Sequence, residues 1–188
     1  MLHRLARFGS PAILAAALLL FLLPFMVVSC DIPGGYGRMS PGGTTSYSGV
    51  NLAIGSSPSI DEERLRPAAE QEPDGLGAQP LMTLAAAGLL VALALAVMAR
   101  WVPAAAVATA SAVALVIGLL VARSSLVDHV ARQAAAPLPA GKTAGDYVVI
   151  ANGFWLSVGL TVVGAALCVG AARLETRRHE PPGEHAAG

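Results

Sequence analysis

A cysteine at the end of the first apolar run is the residue whose chemistry is easiest to recognise in this chain. Val27 and Val28 are followed by the small residue Ser29 and then by Cys30. That order fits the bacterial signal at which a diacylglyceryl group is attached to cysteine through a thioether, with cleavage after the preceding residue. Alternatively, Cys30 packs at the edge of a retained membrane helix. Because of the residues that precede it, Cys30 is a candidate lipidation site.

Asn152 is the most polar residue in any apolar run, and we interpret it as a polar contact between helices, with a substrate path as the alternative. No ionisable residue lies within these runs, whereas ion and proton transporters place such groups inside the bundle. Asp128, His129 and Arg132 are expected on a solvated helix face. His179 and His185 lack the spacing of metal ligands. We therefore predict no metal, no cofactor and no catalytic residue.

The composition indicates a membrane protein. The 188 residues have a mean hydropathy of +0.63, and only 13% of them are charged, whereas about 25% is usual in soluble domains. The formal net charge is zero, so there is no basic field for nucleic acid and no nucleic-acid partner is expected.

Four runs approach or exceed the roughly 20 apolar residues that cross a bilayer as a helix, at residues 11–28, 81–99, 103–122 and 148–172. The predicted fold is an all-α membrane protein, a four-transmembrane-helix bundle with a small extracytoplasmic cap. Its predicted segments are a cytoplasmic N-terminus (1–10), spans at 11–29, 80–99, 103–123 and 148–172, a cytoplasmic turn (100–102), outer segments at 30–79 and 124–147, and a disordered cytoplasmic tail (173–188).

Three features of the chain predict the cap. Val50, Leu52 and Ile54 alternate with less apolar residues, which indicates a short strand at residues 47–55. Ser59 ahead of Glu62 resembles a capping box and predicts a short helix at residues 60–66. The third helix has no breaker before Pro137, so we expect it to continue beyond the membrane to about residue 135 and to lie against the first outer loop.

The helix ends carry their own signals. Ser10 and Pro11 are expected as N-cap and first residue of the first span, and Pro24 is expected to kink that span. Pro80 is expected to open the second span. Arg4 and Arg7 precede the first run and Asp31 follows it, which predicts cytoplasmic termini in a multi-pass plasma-membrane protein.

Three short motifs carry a family resemblance. They are LPFMVVSC at residues 23–30, SGVNLAIG at residues 48–55 and GFWL at residues 153–156. Together they resemble a group of uncharacterised actinobacterial four-helix membrane proteins. The resemblance implies this architecture and no activity. The layout is also similar to that of claudin-like proteins, but their WGLW and paired-cysteine signature is absent.

The sequence favours a non-catalytic scaffold that binds a partner through the cap, either another membrane protein or a second copy of the chain. A lipoprotein lipidated at Cys30, with three remaining spans, is the first alternative. An oligomeric channel or transporter for small solutes is the second. Apart from such a partner, the lipid bilayer is the only expected contact.

Overall fold

A computed structural model describes residues 2–29, 43–60, 76–133, 138 and 140–179. In chain order the helices and strands are α1 (Leu2–Leu19), β1 (Pro24–Ser29), β2 (Thr44–Ser48), α2 (Gly49–Ile54), β3 (Ser59–Ile60), α3 (Pro80–Val97), α4 (Trp101–Gln133), β4 (Val148–Ile150) and α5 (Asn152–His179). Short 3-10 turns follow α1 at Leu20–Leu22 and precede β4 at Ala144–Tyr147.

Three of these helices, α3, α4 and α5, are long and apolar enough to cross a membrane. The 18-residue stretch that qualifies in each has a mean hydropathy of 2.3, 2.4 and 2.0, respectively. The fold is mostly helical, as predicted, and these helices are consistent with a multi-pass membrane protein. Pro80 is the first residue of α3, as predicted. A proline is tolerated there because the first amide of a helix has no acceptor within the helix.

The first apolar run differs from its prediction. The helix begins at Leu2, so Ser10 and Pro11 lie inside it and do not start it. It ends with the 3-10 turn at Leu22, and Pro24 opens β1. Because a residue before proline is driven to extended backbone, Leu23 adopts ψ 157°. Pro24 therefore ends the helix. The predictions that Pro24 kinks the span and that residues 24–29 are helical are both wrong.

β1 is a central strand of a four-stranded sheet with the order β3-β2-β1-β4. Val28 pairs with Thr45 of β2 on one side and with Val148 of β4 on the other, both antiparallel. The valines of β1 and β4 favour a pleated, half-buried surface. The first strand of the cap thus comes from the run that was predicted to be membrane helix.

The predicted strand at residues 47–55 is also corrected, because residues 49–54 form α2. Ser48 and Asn51 form a capping box, in which Asn51 N donates to Ser48 Oγ and Ser48 N donates to Asn51 Oδ1, each at 3.1 Å. Gly55 closes the helix with φ +73°. Leu52 and Ala53 are buried, whereas Ile54 is 65% exposed. Ser59 and Ile60, predicted to begin the short helix at residues 60–66, form β3 instead. Residues 61–66 lie outside the described residues.

α4 and α5 extend past the ends of their predicted spans, whereas α3 stops at Val97, two residues short of its predicted end. α4 continues to Gln133, so the predicted extension of the third helix is confirmed. Leu126 and Val130, in this extension, are fully buried. This extension contacts β4 and the 3-10 turn before it. α5 begins at Asn152, because the first residues of the predicted span, Val148–Ile150, form β4 and pair with β1; that part of the prediction is wrong. α5 reaches His179, so residues 173–179 are helical and the predicted disorder of this part of the tail is also wrong.

The helices form a ring in which α1 contacts α3 and α5, and α4 contacts the same two helices. Small residues permit close packing: a Cβ on Gly88 of α3 would overlap the Ser111 hydroxyl of α4. The buried side chains of the bundle and of the sheet belong to one continuous hydrophobic cluster. Phe25 of β1 joins the two parts, with ring centroids 5.2 Å from Phe21 and 5.7 Å from Phe154.

Candidate functional site

The candidate lipidation site, Cys30, lies outside the described residues. The residues before it are described, and Ser29 is the last residue of β1. Ser29 pairs with Thr44 of the neighbouring strand. Cleavage between Ser29 and Cys30 would therefore release β1 together with α1.

The predicted polar contact, Asn152, is the first residue of α5, and its side chain is exposed. A buried polar contact between helices comes instead from Ser157, one and a half turns further along, whose Oγ donates to Ala17 O of α1 at 3.2 Å. The sequence reasoning missed Ser157 because a single serine in an apolar run gives no signal until the partner helix is known.

Several hydroxyls inside the spans bond to main-chain carbonyls. Thr109 Oγ1 donates to Ala105 O at 2.8 Å, and Thr161 Oγ1 donates to Ser157 O at 2.7 Å. Ser111 Oγ similarly donates to Val107 O at 2.8 Å. Each of these bonds runs back along the same helix, which is how an apolar helix accommodates a hydroxyl without a water partner.

An open face runs along the bundle where α4 and α5 meet, and we call it the seam. Its middle is an apolar groove of about 540 Å³. Val113 and Val162, from opposite sides, are 53% and 54% exposed. Alanines leave room between the helices. The lining residues are Thr109, Ala112, Val113, Val116 and Ile117 of α4, and Val158, Val162, Ala165, Ala166 and Val169 of α5.

At the cap end of the seam lies a second cavity of about 480 Å³, here called the outer pocket. Its lining residues are Leu120, Arg123, Ser124, Val127 and Asp128 of α4, and Thr143, Gly145 and Asp146 of the segment before β4. It therefore combines one guanidinium with two carboxylates and apolar walls. Arg123 is half-buried, whereas Asp128 and Asp146 are exposed.

Asp146 is held in place by the turn that carries it. Its Oδ2 accepts from Thr143 N at 2.7 Å and from Thr143 Oγ1 at 3.0 Å. These hydrogen bonds to the charged form, aided by nearby Lys142, lower the pKa of the Asp146 carboxyl below its ordinary value of 3.8. A lowered pKa means that the turn gains stability above pH 3.8 and loses it only as the pH falls through the lower folded value. At neutral pH Asp146 is ionised.

The opposite end of the seam holds an inner pocket of about 500 Å³, between the start of α4 and the last turns of α5. Trp101 is 4% exposed, and its Nε1 donates to Glu175 Oε1 at 3.1 Å. This bond ties the two helices together where the apolar groove ends. Tryptophan with an apolar ring and a polar edge is common at membrane interfaces.

The bond between Trp101 and Glu175 gives a direct prediction. Replacing Glu175→Met is expected to cost about 1–2 kcal/mol, because it leaves a largely buried indole N–H without this acceptor. Glu175→Gln keeps an acceptor oxygen and is the matched control, with a smaller loss. Thermal unfolding in detergent and indole fluorescence, both in a Trp155→Phe background, are the measurements. Equal stability of the two variants would contradict the assigned role of the bond.

Other candidate residues are not brought together. Asp128 and Arg132 are exposed on the α4 extension, as predicted, although Asp128 also lines the outer pocket; His129, predicted on the same solvated face, is partly buried. His179 ends α5, and His185 is beyond the described residues. Among the described residues, no group of three or more His, Cys, Asp or Glu side chains could hold a metal ion.

The chain was compared with models of known protein families, with curated proteins and with solved structures, and none of them matched. The resemblance to the actinobacterial group therefore stays a prediction, and functional reasoning depends on the geometry of the cap and the seam.

Proposed function

We propose that the protein is a non-catalytic, four-span membrane protein that presents a rigid outer cap to a partner protein. The observation that supports this most directly is the hydrophobic cluster shared by the cap and the bundle. A domain on a flexible tether reorients freely, whereas a sheet that shares its core with the spans keeps one orientation to the bilayer. Such a fixed surface suits recognition of another protein held in the same membrane.

The fourth span in this proposal is the first helix of the chain. α1 with its 3-10 turn covers residues 2–22, and a helix of that length rises about 30 Å, so it can cross the bilayer with its first two turns, which carry Arg4 and Arg7, at the cytoplasmic interface. It runs antiparallel to α5, since Gly9 lies near Leu167 at one end and Gly153 meets Pro24 at the other. Its apolar part alone, Gly9–Leu22, is shorter than a usual span.

The charges at one end of the bundle support cytoplasmic termini. The start of α1 carries Arg4 and Arg7, the turn between α3 and α4 carries Arg100, and the end of α5 carries Arg173. The antiparallel packing brings these segments to the same end, away from the sheet. Because segments rich in arginine and lysine stay on the cytoplasmic side of a membrane, we expect this end to face the cytoplasm and the cap to lie outside the cell.

Single cysteines test the span count and the orientation. In a Cys30→Ser, Cys168→Ala background, we expect a membrane-impermeant maleimide to label Thr44→Cys in intact cells. His3→Cys and Thr176→Cys should react only after permeabilisation. Labelling of His3→Cys from the same side as Thr44→Cys would leave only three spans.

The two alternatives fit the structure less well. Cleavage before Cys30 would remove β1, which is paired on both sides, and α1, which packs on α5; a lipoprotein of that form would have to rebuild its cap. A solute channel needs polar groups along its path, and the spans offer mainly hydroxyls. Thr109, Ser111 and Thr161 donate theirs to carbonyls of their own helices, so these hydroxyls are not directed to a solute.

Crosslinking from chosen positions tests the partner proposal. A photoreactive residue at Thr44 or Ser59, both exposed on the sheet, should yield one recurrent protein adduct in native membranes. The same residue at Leu84 or Val163, exposed on the spans, should yield lipid adducts. The captured protein must then bind the purified full chain in vesicles saturably. A dimer of the chain, or no protein adduct from the cap positions, would overturn the proposal.

A further inference from the structure

We propose that the seam is a binding site for one phospholipid of the phosphatidylethanolamine class in the leaflet on the cap side. The phosphate lies against Arg123, the ammonium faces Asp128 and Asp146, and an acyl chain fills the apolar groove. The site is separate from any partner surface on the sheet and does not depend on the function proposed above.

The outer pocket and the apolar groove share one continuous face of α4. Val113, Ile117, Leu120, Ser124 and Val127 follow at spacings of three and four residues, which places them in line along a helix. Apart from Thr109, whose hydroxyl donates to Ala105 O, the polar lining begins at the cap end of this line. A molecule lying along the face therefore meets an apolar channel first and charged groups at its end, which is the order of groups in a phospholipid.

The dimensions of this face match one leaflet. From Thr109 to Leu120 the helix rises about 16 Å, which is close to half of the roughly 30 Å hydrocarbon core. Arg123 follows one turn later, at the depth where the phosphate of a lipid in that leaflet would lie. The groove volume of about 540 Å³ offers space along that length.

The charges of the outer pocket complement a zwitterion. The Arg123 guanidinium can pair with a phosphate through two parallel hydrogen bonds, and the two carboxylates are acceptors for an ammonium. Thr143 fixes the Asp146 carboxylate, because the Thr143 amide nitrogen donates to Asp146 Oδ2 at 2.7 Å. Lys142 is the other nearby cation, and its Nζ lies 5.5 Å from the centre of the Tyr147 ring.

This arrangement selects among common headgroups. The three charged groups lining the pocket sum to one negative charge, and Lys142 beside Asp146 brings the local charge to zero. Phosphatidylglycerol is disfavoured because it has no ammonium to occupy the space between the two carboxylates. Phosphatidylcholine carries the same charges as phosphatidylethanolamine, but its trimethylammonium has no N–H to donate to the two carboxylates. We therefore expect the order phosphatidylethanolamine, then phosphatidylcholine, then phosphatidylglycerol.

Native mass spectrometry of the full chain tests this order. The protein is released from nanodiscs that contain equal amounts of the three lipids with identical acyl chains, and the retained lipid is counted. We expect one phosphatidylethanolamine to be retained in preference, and Arg123→Gln to reduce its retention about tenfold or more. Arg132→Gln, two and a half turns further along the same helix and exposed, should retain the lipid as the wild type does.

Two further variants separate the headgroup from the chain. Asp128→Asn with Asp146→Asn should abolish the preference over phosphatidylcholine, and Ile117→Trp should fill the groove and reduce retention of all three lipids. Leu90→Trp, exposed on α3, is the control, and every variant must keep the wild-type melting temperature within a few degrees. Equal retention of the three lipids, or binding of glycerophosphoethanolamine as tight as that of the intact lipid, would overturn the proposal.

Discussion

Replacing Phe25 with alanine is expected to lower the free energy of unfolding by about 3–5 kcal/mol, the range for aromatic truncation in a packed core. Phe25 is fully buried, and its ring contacts Phe21 below the sheet and Phe154 at the start of α5. The substitution removes both aromatic contacts and leaves a cavity at the point where the cap meets the bundle. It should therefore loosen the sheet in particular.

The measurement is unfolding in nanodiscs, followed by near-ultraviolet circular dichroism, together with hydrogen exchange of the β1 amides. Leu22→Ala is the matched control, since Leu22 precedes the same strand and is 66% exposed; a side chain that faces lipid or water loses few protein contacts. If Phe25→Ala and Leu22→Ala unfold alike, the cap and the bundle do not share a core, and the rigid-cap proposal fails with it.

The parts of the fold that follow from local signals were predictable. Pro80 marks the start of α3 because its missing amide costs nothing at that position. The extension of α4 follows from the absence of a breaker and from apolar residues such as Leu126 and Val130 on one face. Both signals lie within the segment that they describe, so no knowledge of the partner elements was needed.

β1 could not be predicted because its partners are distant in the chain. Residues 24–29 read equally well as the end of a membrane helix or as a buried strand. What decides between them is pairing with Val148–Ile150, more than 100 residues later. The one local clue was Pro24, which ends a helix at least as often as it kinks one. Val148–Ile150, predicted as the start of the last span, could not be recognised as β4 for the same reason.

The misread cap helix had a usable signal. In SGVNLAIG, the apolar residues fit a period of two, but Gly49, Leu52 and Ala53 also fit the spacing of one helix face, and these are the buried ones. Ser48 and Asn51 provide a capping box and Gly55 provides a C-cap. A helix-start signal at Ser48 and a helix-end signal at Gly55, seven residues apart, outweigh an alternation of three residues.

The seam could not be predicted from the sequence either, and the reason is different. Its residues Val113, Val162 and Ala165 are ordinary span residues, and nothing in their spacing shows which faces of α4 and α5 meet. The sequence predicts Asp128 on a solvated face and gives Arg123 no role, because the turn that carries Asp146 approaches them only in the folded chain. A site composed from two helices and a returning segment is visible only once their packing is known.

Replacing Gly153 with alanine is the second change with a large expected effect. A Cβ at this position would lie 2.5 Å from Pro24 O and 2.9 Å from Leu23 Cβ. The obstacle includes main chain at the junction of α1 and β1, so it cannot be relieved by a side-chain rotation. We expect a loss of about 1–3 kcal/mol, as for overpacking in other cores, and a displacement of α5 from α1 at this end.

Gly159 and Gly170 on the same helix provide matched controls, because a Cβ at either would meet nothing within 4 Å. Gly159→Ala and Gly170→Ala are expected to leave stability unchanged or to raise it by up to about 1 kcal/mol through helix propensity. Gly164→Ala should fall between the two groups, since its Cβ would meet the Leu14 side chain at 2.8 Å, and that side chain can move. Thermal unfolding of the four variants in one lipid gives the order directly. Were Gly153→Ala as stable as Gly159→Ala, α1 would not pack on α5 in this register, and its assignment as the fourth span would lose its support.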